Sequence, residues 1–192
     1  MPAFYELSPE ERIALTMRAM RERDTLMLRW QAQEPGRCDE WDARAAIAGA
    51  LLAGHDAVAD LGCWDMSLER HLAPGTRYIP VDVAARDERT VVCDFNTSAP
   101  PATGASAAAC LGVFEYLHDV PGFLRALAAQ YRTLVATYNC LKPGEPLGYR
   151  RSHAWVNDYT LAEIDGIFEP AGWSVSNVET VDANQTIWRL DR

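Results

Sequence analysis

The sequence predicts an α/β protein in which a mostly parallel β-sheet ends in an antiparallel hairpin and is preceded by two helices. Three observations carry this. From Ala57 onward, short apolar runs alternate with helical stretches, the pattern of strands joined by covering helices. The last two apolar runs, Trp173 to Val178 and Gln185 to Leu190, are separated only by Glu179 to Asn184. That spacer is too short for the helix of a parallel crossover, so the two runs must pair as a hairpin. Ahead of Ala57, apolar residues recur at helical spacing instead.

Taken in order, Ser8-Pro9-Glu10-Glu11 starts the first helix, since serine caps, proline suits the first turn and Glu11 completes a capping box. Ile13, Met17, Met20 and Met27 then share one face as far as Trp30, which reads as one long amphipathic helix that packs on the main body. Pro35-Gly36 ends it, Asp39 caps a second helix through Trp41, Ile47 and Leu51, and Gly54 closes that one. Strands are expected at Ala57 to Leu61, Arg77 to Val81, Thr90 to Cys93, Ser106 to Leu111 and Thr133 to Tyr138. Helices are expected at Asp65 to Leu72, at Val120 to Gln130, and after the capping box Thr160-x-x-Glu163, with Glu169-Pro170-Ala171-Gly172 as its stop. Together these read as a single domain over residues 1 to 192, in which 1 to 56 form a helical lid and 57 to 192 the core.

Composition narrows the function. The 192 residues are 48% hydrophobic, enough for a sizeable core and against a disordered tail. Apolar runs fall short of the roughly 18 residues a membrane span needs, and Met1 to Glu11 is acidic, so a soluble cytoplasmic protein is expected. A net charge of -9 without a basic patch argues against nucleic acid as a partner. Cys38, Cys63, Cys93, Cys110 and Cys140 form no C-x-x-C pair and have no histidine at ligand spacing, so no metal site or disulfide framework is expected.

In open α/β sheets, ligands bind where strands end. The first strand leads into Asp60-Leu61-Gly62-Cys63-Trp64-Asp65, where a glycine lets backbone approach a ligand. About 20 residues on, the second strand ends at Asp82, placed to accept both hydrogen bonds of a ribose diol. The third ends in Asp94-Phe95, a carboxylate for an amino group beside an apolar wall for a flat ring. The fourth leaves through Leu111-Gly112-Val113-Phe114-Glu115-Tyr116-Leu117-His118-Asp119.

From Ala57 to Leu190 the chain resembles the class I S-adenosylmethionine-dependent methyltransferases, in the order of these motifs and in the terminal hairpin. The resemblance implies a Rossmann-like, seven-stranded, mostly parallel sheet with a C-terminal antiparallel hairpin, and S-adenosylmethionine as cofactor. By similarity Asp60, Gly62, Cys63 and Trp64 would hold its methionine end, Asp82 the ribose, Asp94 and Phe95 the adenine, and Leu111 and Gly112 would offer carbonyls to its amino group. The family repeats glycine at alternate positions in the first turn, whereas this chain has Trp64 and Met66 after Gly62. Trp64 is expected to wall the cofactor rather than fill its site.

Methyl transfer is an in-line displacement that mainly demands alignment, and a hydroxyl acceptor usually adds the need for a base. His118, His153, Glu115 and Tyr138 are candidates, with His153 preferred because Arg151 to Tyr159 is an aromatic, polar stretch after the fifth strand. The expected acceptor is a small molecule or glycan precursor, methylated on oxygen, with the oligomeric state open between monomer and homodimer. Two alternatives remain: a non-catalytic methyltransferase-like scaffold or regulator, and a Rossmann oxidoreductase, to which the hairpin is foreign.

Overall fold

The computed structural model describes residues 2–31, 39–181 and 185–192. Its seven strands are β1 (Ala57–Leu61), β2 (Arg77–Asp82), β3 (Val91–Val92), β4 (Ala107–Leu111), β5 (Thr133–Asn139), β6 (Ser174–Thr180) and β7 (Gln185–Asp191), in the sheet order β3-β2-β1-β4-β5-β7-β6. The first five are parallel, and β7 runs antiparallel to both β5 and β6. The α/β sheet and its terminal hairpin are therefore as the sequence predicts. β1 and β4 are buried at every position, so their uninterrupted apolar runs reflect a sheet covered on both faces.

Alternation along β1 divides the core. Ala57, Ala59 and Leu61 face a cluster with Phe114, Leu124, Leu127, Ile164, Phe168, Trp173 and Trp188. This layer is built by α4 (Val120–Ala128) and α6 (Leu161–Phe168), both started by side-chain caps, Asp119 and Thr160. Val58 on the opposite face packs with Ala45, Ala48, Leu52 and Leu68 beneath α3 (Asp39–Leu51).

Two sequence expectations are corrected, and one helix is added. The long N-terminal helix is instead α1 (Pro9–Glu22), then a turn, then one helical turn, α2 (Leu28–Gln31), because Arg23 takes a left-handed conformation with φ 57°. A left-handed residue cannot sit inside a right-handed helix. The helix expected from Asp65 to Leu72 is only a 3-10 segment, Ser67–His71, for the same reason: Trp64 (φ 40°) and Met66 (φ 56°) are both left-handed. Finally, a helix without a sequence signal, α5 (Leu147–Ser152), follows β5 and docks on α1, where the Thr16 hydroxyl donates to the Arg151 carbonyl at 2.8 Å. The expected stop at Pro35-Gly36, and Cys38, lie outside the described residues.

Candidate functional site

Strand order reverses at β1, with β2 on one side and β4 on the other, and this is where a ligand crevice opens in such sheets. A cavity of about 350 Å³ lies there, in the size range of small-molecule sites. Asp60, Gly62, Cys63, Trp64, Asp82, Asp94, Phe95, Leu111, Gly112 and His153 all line it. His118 does not; its Nε2 lies 3.0 Å from the Asp24 carbonyl oxygen.

The turn after β1 is held open by its backbone. Gly62 sits at φ 84°, its N–H donates to the Val81 carbonyl at 2.7 Å, and a Cβ there would come within 2.5 Å of Val113. Gly112, at φ 73°, allows the Arg44 guanidinium to pass, since a Cβ would stand 2.8 Å from its Nη1. Close approach to Val113 and a positive φ both favour glycine at 62, and the positive φ favours it at 112. Trp64 (φ 40°) and Met66 (φ 56°) hold left-handed backbone in the same turn without being glycine.

Trp64 is 8% exposed and forms a wall, with Trp30 and Trp41 packed edge-to-face against it at 5.5 and 6.2 Å. On it lies the Arg86 guanidinium, 4.4 Å from the ring centroid. Arg86 donates to Asp82 Oδ1 at 2.7 and 3.2 Å, and both side chains are 5% exposed. Asp82 Oδ1 also accepts from the Ala84 N–H, whereas Oδ2 accepts from the Trp64 N–H at 3.0 Å and has no other recorded donor among the described residues. One carboxylate oxygen of Asp82 is saturated and the other keeps acceptor capacity.

Asp60, beneath the turn, is pushed up to about 7 by burial, against the opposing hydrogen bond from the Tyr78 hydroxyl at 2.6 Å. Asp94 Oδ1 accepts from the Thr25 hydroxyl at 2.7 Å, and the Asn96 amide donates to the same hydroxyl at 2.9 Å. Arg86 further donates to the Trp30 carbonyl at 3.1 Å. These bonds stitch residues 24 to 30 across the exits of β2 and β3 as a cap. Phe95 packs on Phe123 at 5.0 Å and closes the far wall.

Beyond β4 and β5 the lining turns aromatic: Tyr5, Tyr116, Tyr149, His153 and Trp155. His153 Nδ1 lies 3.4 Å from the Tyr5 hydroxyl, and its ring stands edge-to-face on Tyr149 at 4.7 Å. Burial, then the charges of Arg12 and Arg29, hold its pKa below the usual histidine value, so the imidazole is neutral at pH 7. Trp155 Nε1 donates to the Tyr116 hydroxyl at 3.3 Å. Tyr138 hydrogen-bonds Asn157 and Arg150 instead and is not among the lining residues.

Sequence reading missed Arg29, Trp30, Trp41, Arg44 and Arg86. The first four lie in the N-terminal segment, and no strand-end pattern marks any of the five. Arg29 is 3% exposed, with its guanidinium 4.6 Å from the Tyr5 ring centroid and 4.4 Å from that of Trp30. Arg44 Nε is buried and has no hydrogen-bond partner among the described residues, while Nη1 lies 3.4 Å from Gln185 Oε1.

No protein-family model and no curated protein matches the chain. Solved structures do. It is similar to the 1,6-didemethyltoxoflavin-N1-methyltransferase of Burkholderia thailandensis, determined with 1,6-didemethyltoxoflavin and S-adenosylhomocysteine, with TM-score 0.64 and 16% identity over 97% of this chain and 91% of that one. Human N-acetylserotonin methyltransferase, in complex with SAM, is similar with TM-score 0.60 and 13% identity over 96% of this chain and 56% of that one. The mitomycin 7-O-methyltransferase MmcR gives TM-score 0.64 and 17% identity over 94% and 60%. The chain spans little more than half the length of these last two enzymes. The fold is that of the class I S-adenosylmethionine-dependent methyltransferases.

Proposed function

We propose that the protein is a methyltransferase that binds S-adenosylmethionine in the crevice over β1 and methylates an oxygen of a small molecule. The observation that carries this reading is one cavity lined by both glycine turns, Gly62 and Gly112, and by the carboxylates that end β1, β2 and β3. The residues fit the cofactor. Arg44 brings Nη1 over Gly112 and keeps a buried Nε–H unpaired among the described residues, a donor set that complements a carboxylate, and Asp82 Oδ2 keeps room for a ribose hydroxyl. Asp94 and Phe95 would meet the adenine, and Trp64 would wall the site. Bound there, the cofactor supplies a methyl group already activated on a sulfonium. The chain's part is to align the acceptor and hold a proton acceptor near it.

His153 is the residue proposed for that role. In the tautomer whose Nδ1–H faces the Tyr5 hydroxyl, the neutral imidazole leaves the Nε2 lone pair for a hydroxyl proton. His118, tied to Asp24 outside the cavity, has no corresponding access.

Calorimetric titration with S-adenosylhomocysteine tests the reading, and Asp82→Asn should weaken binding by about 1.5 to 3 kcal/mol, the range for hydrogen bonds to a charged group. The scaffold alternative draws on the Arg86 guanidinium that already occupies Asp82 Oδ1. Absence of binding by the unmodified protein would favour it.

A further inference from the structure

Glu115 follows the β4 exit that ends in Leu111 and Gly112, in the same cavity as Arg44, whose buried guanidinium acts on its charge. Its carboxylate spans to the end of β5: Oε1 accepts from both the backbone N–H of Asn139 at 2.9 Å and its side-chain amide at 2.7 Å. Its own carbonyl accepts from the Val156 N–H at 2.8 Å, which ties it to the aromatic segment through Trp155. The side chain is therefore fixed. Yet the residue is 1% exposed, it lines the cavity, and Oε2 is buried without a hydrogen-bond partner among the described residues.

A buried carboxylate oxygen left unsatisfied is costly, and such groups are normally completed by a partner. Rotating Glu115 to satisfy Oε2 from within the protein would break the two bonds from Asn139. Its position selects the missing partner. Asp60, Asp82 and Asp94 end β1, β2 and β3 on one side of the crevice, whereas Glu115 sits between β4 and β5 on the other. Tyr116, Trp155 and His153 line the same cavity, as does Arg44, whose charge acts on Glu115, yet among the described residues none donates to Oε2.

We propose that Glu115 is a specificity-determining residue that anchors the methyl acceptor: Oε2 accepts a hydrogen bond from an O–H or N–H donor on a small, flat molecule held among these rings. This rests on the reading of the crevice as a methyltransferase site. An acceptor that lacks the donor leaves a buried carboxylate oxygen bare and is rejected, which is how such sites discriminate most strongly.

The test uses S-adenosylhomocysteine first and then, with that ligand saturating, catechol, which carries two O–H donors, against veratrole, the same ring with both oxygens methylated. Calorimetry should show catechol binding about tenfold or more tighter than veratrole to the unmodified protein, the difference one hydrogen bond to a charged group makes. In Glu115→Gln, whose Oε1 can still accept from Asn139, the preference should collapse while S-adenosylhomocysteine affinity stays within about twofold. Circular dichroism establishes that the variant is folded, and Glu115→Asp, with the carboxylate drawn back, should lose the preference as well.

The outcomes separate cleanly. If S-adenosylhomocysteine fails to bind the unmodified protein, the methyltransferase reading itself fails. If it binds but catechol shows no advantage, or Glu115→Gln retains that advantage, the anchoring role is overturned. A tenfold loss of S-adenosylhomocysteine affinity in Glu115→Gln also overturns it, because Oε2 would then belong to the cofactor side.

Discussion

At Asp60, burial acts on a single carboxyl group strongly enough to be read in the stability of the whole chain. Its pKa rises from 3.8 to about 7, burial outweighing the hydrogen bond from Tyr78. The folded state therefore holds a proton that the unfolded state has released, and the stability this contributes is fully present below about pH 4 and lost as pH rises through about 7. Asp60→Asn keeps an acceptor for Tyr78 but cannot ionise. Chemical denaturation at several pH values should find the variant more stable than the unmodified protein by about 2 to 4 kcal/mol at pH 8 and without advantage near pH 4. A difference that stays flat with pH would place the titration elsewhere. The Asp82–Arg86 pair behaves oppositely, because Arg86→Met leaves a 5% exposed carboxylate without its counter-charge. The expected loss is about 3 to 5 kcal/mol in the same measurement. In the sequence Asp82 stands out by its place after a strand, while Arg86 looks like one more surface arginine; only the fold reveals that the two are paired over Trp64.

Between residue and fold, the turn after β1 is the element in which sequence and structure part most. Alternation of apolar runs locates every strand: burial on both faces leaves continuous runs in β1 and β4, and the terminal hairpin follows from a spacer too short to cross over. Helix ends with a side-chain cap, at Ser8, Asp119 and Thr160, were equally legible. What was not legible is backbone handedness at non-glycine residues, because nothing in Arg23, Trp64 or Met66 announces a positive φ. The left-handed geometry of Met66 carries a steric cost of about 1 to 2 kcal/mol. Met66→Gly should relieve it and raise stability by about 1 kcal/mol. Trp64→Gly relieves similar strain but removes a side chain that is 8% exposed, so it should destabilise by about 3 kcal/mol on balance. Paired thermal melts of the two variants check the contrast; destabilisation by Met66→Gly would mean that its side-chain packing outweighs the strain.

For the molecule as a whole, residues 24 to 30 and the strand exits form one unit, since Thr25 binds Asp94, the Trp30 carbonyl accepts from Arg86, and the Trp30 ring lies between Trp64 and Tyr116. The strand-end half of the site was legible because carboxylates and glycines after strands have a known geometric meaning. The N-terminal half was not, because Arg29, Trp30 and Arg44 reach the cavity only through packing of α2 and α3 over the sheet, which periodicity does not encode. A ligand bound as proposed would lie between cap and sheet, so its binding energy should appear in both. S-adenosylhomocysteine at about 100 times its Kd should stabilise the protein by about 2.7 kcal/mol. Amide hydrogen exchange should then slow in residues 25 to 31 and 62 to 66 together, while the central residues of β4 and β5, already buried, change little. Trp30→Ala removes the ring that joins the cap to Trp64 and Tyr116 and should uncouple the two responses, so that protection persists at 62 to 66 but fades at 25 to 31. Protection confined to the strand exits in the unmodified protein would show that the cap packs beside the ligand without enclosing it.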